Sequence, residues 1–223
     1  MRAASLALGL IAAGALPVAA LAQPCTTASY DTYLAAGFSC EVGDKTFSSF
    51  SFTSTAGGSG IQVTPNQIAV SPQFTAQGPG LTFSSGAIFV SQAAPIADLT
   101  FVDVTLDFTV TAGAGFLIED AALNIAGGVT GGGVAMVDET VTPGGALHTE
   151  FPATPSDHIT FTPVLTVDVL KDIFVGVPAG STGTANITAI SQTFSQVVPE
   201  PGSLALLGAG LVGMGLLRRR RRT

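Results

Sequence analysis

Tryptophan is absent from the 223 residues, and aromatic residues make up only 7% of them. That argues against an aromatic platform for stacking sugars. Charged residues are also few, at 10% against 47% apolar, so the chain can build a core and wholesale disorder is excluded. Basic residues are scarce where they would matter for a polyanion. Positions 23–198 carry fourteen Asp and Glu against two Lys, a balance of −12, while five arginines crowd the last six positions. An acidic body repels a phosphate backbone, which argues against nucleic acid as a partner. There are two histidines, His148 and His158, and their spacing matches no zinc motif such as H-E-x-x-H. They read as surface or loop residues. No G-x-S-x-G elbow occurs, and Gly57-Gly58-Ser59-Gly60 reads as a flexible loop. The length fits one domain with short appendages.

What is present at the two ends is more informative. At the start, Arg2 is followed by an apolar run from Ala3 to Leu16 and by Ala20-Leu21-Ala22 before Gln23. A positive region, a hydrophobic region and a small-x-small site in that order predict a secretory signal helix over 1–22, cleaved between Ala22 and Gln23. Near the other end, Gly208 to Gly213 reads GAGLVG and satisfies G-x-G-x-x-G. A dinucleotide site needs a strand before it, a helix after it and an acidic residue about 20 positions on. Only ten residues follow Gly213, none of them acidic, so that reading fails.

The uncharged stretch from Gly202 to Leu217 predicts a transmembrane helix instead. Its sixteen residues would span about 24 Å, somewhat short of a hydrocarbon core of about 30 Å. Its leucines and valine favour insertion by about 3 kcal/mol. Arg218, Arg219, Arg220, Arg221 and Arg222 can snorkel and extend the reach, and they hold their own side in the cytoplasm. The body then lies on the periplasmic side.

Pro199-Glu200-Pro201, the apolar span and the arginine cluster together resemble the PEP-CTERM sorting signal of Gram-negative bacteria. The resemblance implies a protein exported through the Sec machinery and parked briefly in the inner membrane. It implies processing by a membrane-embedded exosortase near the motif, with Pro199, Glu200 and Pro201 as recognition residues. The prolines fit that role, because they disfavour helix and keep the peptide extended. The body has a looser likeness to one group of such exported proteins. It rests on the early cysteine pair, "GDKTFSSFSF" from Gly43, "LTVDVLKDIFV" near Leu165 with Lys171-Asp172-Ile173, and "QTFSQVVPEP". That likeness implies a place at the cell surface or in an extracellular matrix, beside exported polysaccharide in a biofilm.

Between the ends, over 23–198, the pattern is β. In Thr100 to Thr111, Val102, Val104, Leu106, Phe108 and Val110 alternate with Asp103, Thr105, Asp107, Thr109 and Thr111. Period two with one polar face predicts a half-buried strand. Further strands are predicted at Thr46 to Ser54, Ile61 to Val70, Leu81 to Val90, Phe116 to Ile125, Val134 to Val141, Ile159 to Val169, Ile173 to Val177 and Ala185 to Phe194. Tyr30 to Ala36 reads as one short helical turn. The expected architecture is a single all-β domain, an antiparallel β-sandwich or jelly-roll-like fold. Cys25 and Cys40 lie in the exported part and are expected to form a disulfide, worth about 3 kcal/mol in the chain-entropy model.

Candidate chemistry is thin. Asp103 and Asp107 share one strand face but sit about 13 Å apart, too far for a glycosidase pair or one calcium ion. They read as solvating charge that protects an edge. Glu119-Asp120 and Asp138-Glu139 flank the glycine-rich stretch Gly127 to Gly133. Calcium there is the one cofactor weighed, without the spacing of a known calcium loop. No catalytic set is found. The leading expectation is a non-enzymatic structural or interaction protein of the surface or matrix. The alternative is a module binding polysaccharide or calcium. A secreted hydrolase stands third, since it would need two carboxylates about 5–9.5 Å apart in a cleft.

Overall fold

The computed structural model describes residues 23–198. The signal segment and everything from Pro199 onward lie outside the described residues. Among those described, no helix is long and apolar enough to cross a membrane.

The strands in chain order are β1 (Gln23–Pro24), β2 (Ala28–Ser29), β3 (Ser39–Val42), β4 (Lys45–Gly57), β5 (Ala69–Thr75), β6 (Gly78–Ser84), β7 (Phe89–Gln92), β8 (Thr100–Ala112), β9 (Leu117–Gly131), β10 (Val134–Thr142), β11 (Gly145–Phe151), β12 (Ser156–Val164), β13 (Thr166–Val177), β14 (Gly183–Thr193) and β15 (Gln196–Val197). One helical turn, α1 (Tyr30–Tyr33), and a 3-10 turn at Pro65–Gln67 complete the set. Seven strands form one sheet in the order β1-β3-β4-β8-β13-β10-β11. The second sheet runs β12-β9-β14-β6-β5-β2, with β15 on β9 and β7 on β14. All pairings are antiparallel except β1 with β3. The expected sandwich is therefore what forms.

Alternation dictates which face each residue takes. Along β8, every second residue from Thr100 to Ala112 is buried, and the residues between face outward. Strand β13 does the same, burying Val167, Val169, Ile173 and Val175. These inner faces meet those of β9 and β14, where Leu123, Ile125, Ile187 and Ile190 are buried. An aromatic cluster closes the end near α1: Tyr30 and Tyr33 pack on Phe50, and Phe50 stacks on Phe108 at 5.8 Å and 24°. The Tyr30 hydroxyl donates to the Ser51 carbonyl at 2.9 Å, and the Tyr33 hydroxyl to that of Thr26 at 2.7 Å.

Several element boundaries differ from expectation. Residues 61–68 hold a loop and the 3-10 turn, and a strand begins only at Ala69. Pro65 accounts for this, since it removes a ladder donor and starts a turn with Thr64 and Gln67 as its cap. The stretch Leu81 to Val90 is two strands, β6 and β7. The predicted strands over Ile159–Val169 and Ile173–Val177 resolve instead into β12 and one long β13, parted at Leu165. Strand β8 is also the central strand of its sheet, so Asp103 and Asp107 protect no edge. They face solvent from the middle of the sheet.

Candidate functional site

Four places deserve a function: the stem of the sorting tail, the disulfide, the outer face of the seven-stranded sheet, and a polar cluster in the core.

The stem is pinned as far as Val197, two positions before the Pro-Glu-Pro. Phe194 is fully buried, and the Ser195 amide donates to Asp120 Oδ1 at 2.8 Å. Gln196 and Val197 pair with Ile118 and Leu117. Gln196 Oε1 also accepts from Lys45 Nζ at 3.1 Å, while that amine reaches Asp44 at 2.7 Å. Lys45 is fully buried, and burial pulls its amine below the ordinary lysine range. Val198 is already exposed. At the other end of the described chain, Gln23 and Pro24 pair in parallel with Cys40 and Glu41, so β1 runs toward the β3–β4 turn, beside which Gln196 is held.

Cys25 and Cys40 form the expected disulfide, with Cα atoms 4.8 Å apart and both residues buried. It fastens the start of the described chain to β3. Gln23, the residue after the expected signal cleavage site, pairs with Cys40 in the short parallel ladder.

The outer face of the seven-stranded sheet is lined with threonine and aspartate. Register sets Asp138 of β10 opposite Asp172 of β13, and Phe174 opposite Asp103 of β8. Asp138 Oδ1 accepts from His148 Nδ1 across 2.7 Å, and that contact raises the affinity of the imidazole for its proton. Partial desolvation, followed by the neighbouring Asp103 and then Asp138, pushes the Asp172 carboxyl up to about 6. Asp172 remains open to solvent, so the energetic effect is small and its sign is what matters. A carboxyl raised on folding holds its proton longer when folded, so stability falls as pH rises from about 4 through about 6. Asp172→Asn is therefore expected to stabilise the protein more at about pH 7 than at about pH 4, as read from melting curves of both proteins. Beside this trio lies a shallow depression of 330 Å³ lined by Ser49, Asp107, Thr109, Thr140, Asp168 and Leu170. It takes in none of Asp103, Asp138 and Asp172. At one end of the face, Phe101 and Phe174 stack at 6.2 Å and 17°. Gly57 and Gly176 lie beneath them; a Cβ at either would come within 2.3 Å of Phe101 or 2.7 Å of Phe174.

The acidic residues weighed for calcium do not converge. Glu139 points inward, Asp138 outward to His148, and Asp120 toward Ser195 and His158. Gly127 to Gly131 belong to β9, leaving a two-residue turn into β10. Among the described residues, no group of three or more His, Cys, Asp or Glu is arranged to hold a metal ion. The two histidines are half exposed and each meets a separate aspartate, His148 with Asp138 and His158 with Asp120.

The core cluster escapes a reading of apolar runs. Lys171 sits on the inner face of β13, directly across the ladder from Glu139 of β10. Gln192 comes from β14 in the opposite sheet. All three are buried, at 0%, 2% and 0% exposure. Lys171 Nζ contacts both Glu139 Oε2 and Gln192 Oε1. The same amine lies 5.9 Å from the centre of the Phe108 ring. Burial holds it well below the ordinary lysine range. Glu139 Oε1 and Gln192 Nε2 have no hydrogen-bond partner within the described residues.

Comparison with known proteins agrees with the tail. Residues 197–222 match the PEP-CTERM protein-sorting motif. The chain is therefore a protein that carries a PEP-CTERM sorting domain at its C-terminal side. No curated protein matches the chain. Among solved structures, one of TmCBM61 in complex with β-1,4-galactotriose resembles it, with 13% identity over 65% of this chain and 88% of that chain. The TM-score is 0.28, and a likeness so loose assigns no ligand.

Proposed function

We propose that this is an exported, non-catalytic surface or matrix protein, anchored by its tail in the inner membrane and then released by an exosortase. The observation that carries this reading is the join between fold and motif. The sorting motif begins at residue 197, the last residue of β15, and its Pro-Glu-Pro starts two positions later. A processing enzyme needs an extended backbone to grip, and Pro199 and Pro201 supply one just past a firmly held stem. Once freed, the domain is a disulfide-tied, acidic sandwich that adsorbs poorly to anionic surfaces. On this account Pro199, Glu200 and Pro201 are recognised, and Arg218 to Arg222 fix the orientation by staying in the cytoplasm.

Removing residues 199–223 is expected to abolish the membrane-bound precursor. The body would then appear in the periplasmic fraction rather than at the surface. A truncated protein that still reaches the surface in full yield counts against the reading.

A second reading, binding of neutral polysaccharide, is favoured by one observation. The Phe101–Phe174 stack borders a flat face of hydroxyls and carboxylates, a combination that can stack on and hydrogen-bond a sugar chain. Glycan-array signal from the released form, lost in Phe174→Ala, would support it.

A further inference from the structure

The buried trio of Lys171, Glu139 and Gln192 has a chemistry that a structural role does not use. An amine, a carboxyl and a carboxamide meet in a dry interior, and the carboxamide comes from the opposite sheet. We propose that Lys171 and Gln192 join in an intramolecular amide cross-link between the two sheets, with Glu139 as the proton carrier.

The geometry supplies each part. Lys171 Nζ touches Gln192 Oε1, so the carboxamide carbon Cδ lies no more than one C=O bond, about 1.23 Å, beyond the contact. A carbonyl carbon one bond behind a contacted oxygen needs only a small side-chain rotation to reach the near-attack separation of about 3–3.5 Å. Glu139 Oε2 touches the same nitrogen and can take its proton. Burial holds the Lys171 amine well below the ordinary lysine range, which favours the neutral amine that the attack requires. Side chains around the site exclude water, which would otherwise compete as a nucleophile.

The step balances without any co-reactant. The lone pair of Lys171 Nζ forms a bond to Gln192 Cδ. Glu139 carries one proton from Nζ to Nε2, and the Cδ–Nε2 bond breaks to release ammonia. Glu139 ends as it began, and nothing is oxidised or reduced. The reaction also removes one cost of the uncrosslinked core: Nε2, a buried donor with no partner, leaves as ammonia. Glu139 is the less suitable acyl group, because a carboxylate is a poor electrophile and would have to expel water.

The sequence offers a clean test. Lys45 and Lys171 are the only Lys or Arg between 23 and 198, so trypsin has two sites in the body. The exported protein is denatured, reduced and digested. An acylated Lys171 resists trypsin, so the expected result is cleavage after Lys45 and none after Lys171. The peptide that holds both residues is expected to weigh about 17 Da less than its sequence, the mass of ammonia. Gln192→Ala and Glu139→Gln are each expected to restore cleavage after Lys171. Because the wild-type digest is run unfolded, an ion pair cannot protect the site. Complete cleavage after Lys171 with no mass deficit overturns the proposal, whatever the variants do. A deficit of about 18 Da, with the bond mapped to Glu139, overturns the assignment of Gln192.

Discussion

Lys171→Met is expected to lower the stability of the domain by about 3–5 kcal/mol, the usual cost of breaking a buried charge pair from one side. For a domain of this size that corresponds to a fall in melting temperature of about 6–20 °C. The loss arises from what is left behind. Glu139 would remain at 2% exposure with its amine gone, and Gln192 would lose its link to Lys171 and stand as a buried carboxamide short of partners. Met fills most of the lysine's volume, so cavity formation contributes little. The double variant Lys171→Met/Glu139→Leu is expected to regain the part of the loss that comes from the stranded Glu139, because no charge stays buried, but not the part that comes from the lost bond to Gln192. Thermal melting followed by circular dichroism checks both. A single variant that melts within a degree or two of the parent would show that the buried pair is not a structural determinant.

Replacing Pro199, Glu200 and Pro201 together with alanine is expected to affect processing as strongly as Lys171→Met affects folding. The three residues lie beyond β15, so the sandwich should melt unchanged. The released form is expected to drop about tenfold or more, because the recognition contacts of the processing enzyme are gone. The precursor, with Arg218 to Arg222 attached, should accumulate in the membrane fraction. Processing at the normal rate would remove these residues from the recognition role.

The fold and the sorting tail were legible for different reasons. Strand β8 announces itself because no charge falls on its inner face, so Val102 through Val110 alternate without interruption. The tail is legible because a short motif, an apolar span and a charge cluster carry their meaning locally. Strand β13 reads as two strands because Lys171 interrupts an otherwise apolar inner row of Val167, Val169, Ile173 and Val175. A lysine there reads as solvent-facing until its partner is known. Glu139 misled in the same way. It follows Asp138 and reads with it as one side of a candidate calcium loop, yet successive residues of a strand face opposite sides. The parity of Ala135, Val137 and Val141 already placed Glu139 inward with them. Gln192 could not be found from periodicity at all, because its significance lies in a contact between sheets. The acidic trio of Asp103, Asp138 and Asp172 was invisible for a similar reason. It spans three strands, and only their register brings it together.

The account as a whole stands on export followed by removal of the tail. Its most direct test is mass spectrometry of the protein recovered from the cell surface or medium, mapping both chain ends. The predicted species begins at or near Gln23, ends close to Pro199–Pro201 and lacks Arg218 to Arg222. Surface material that keeps the arginine cluster, or an uncut chain in the cytosol with Met1 to Ala22 still attached, would contradict it.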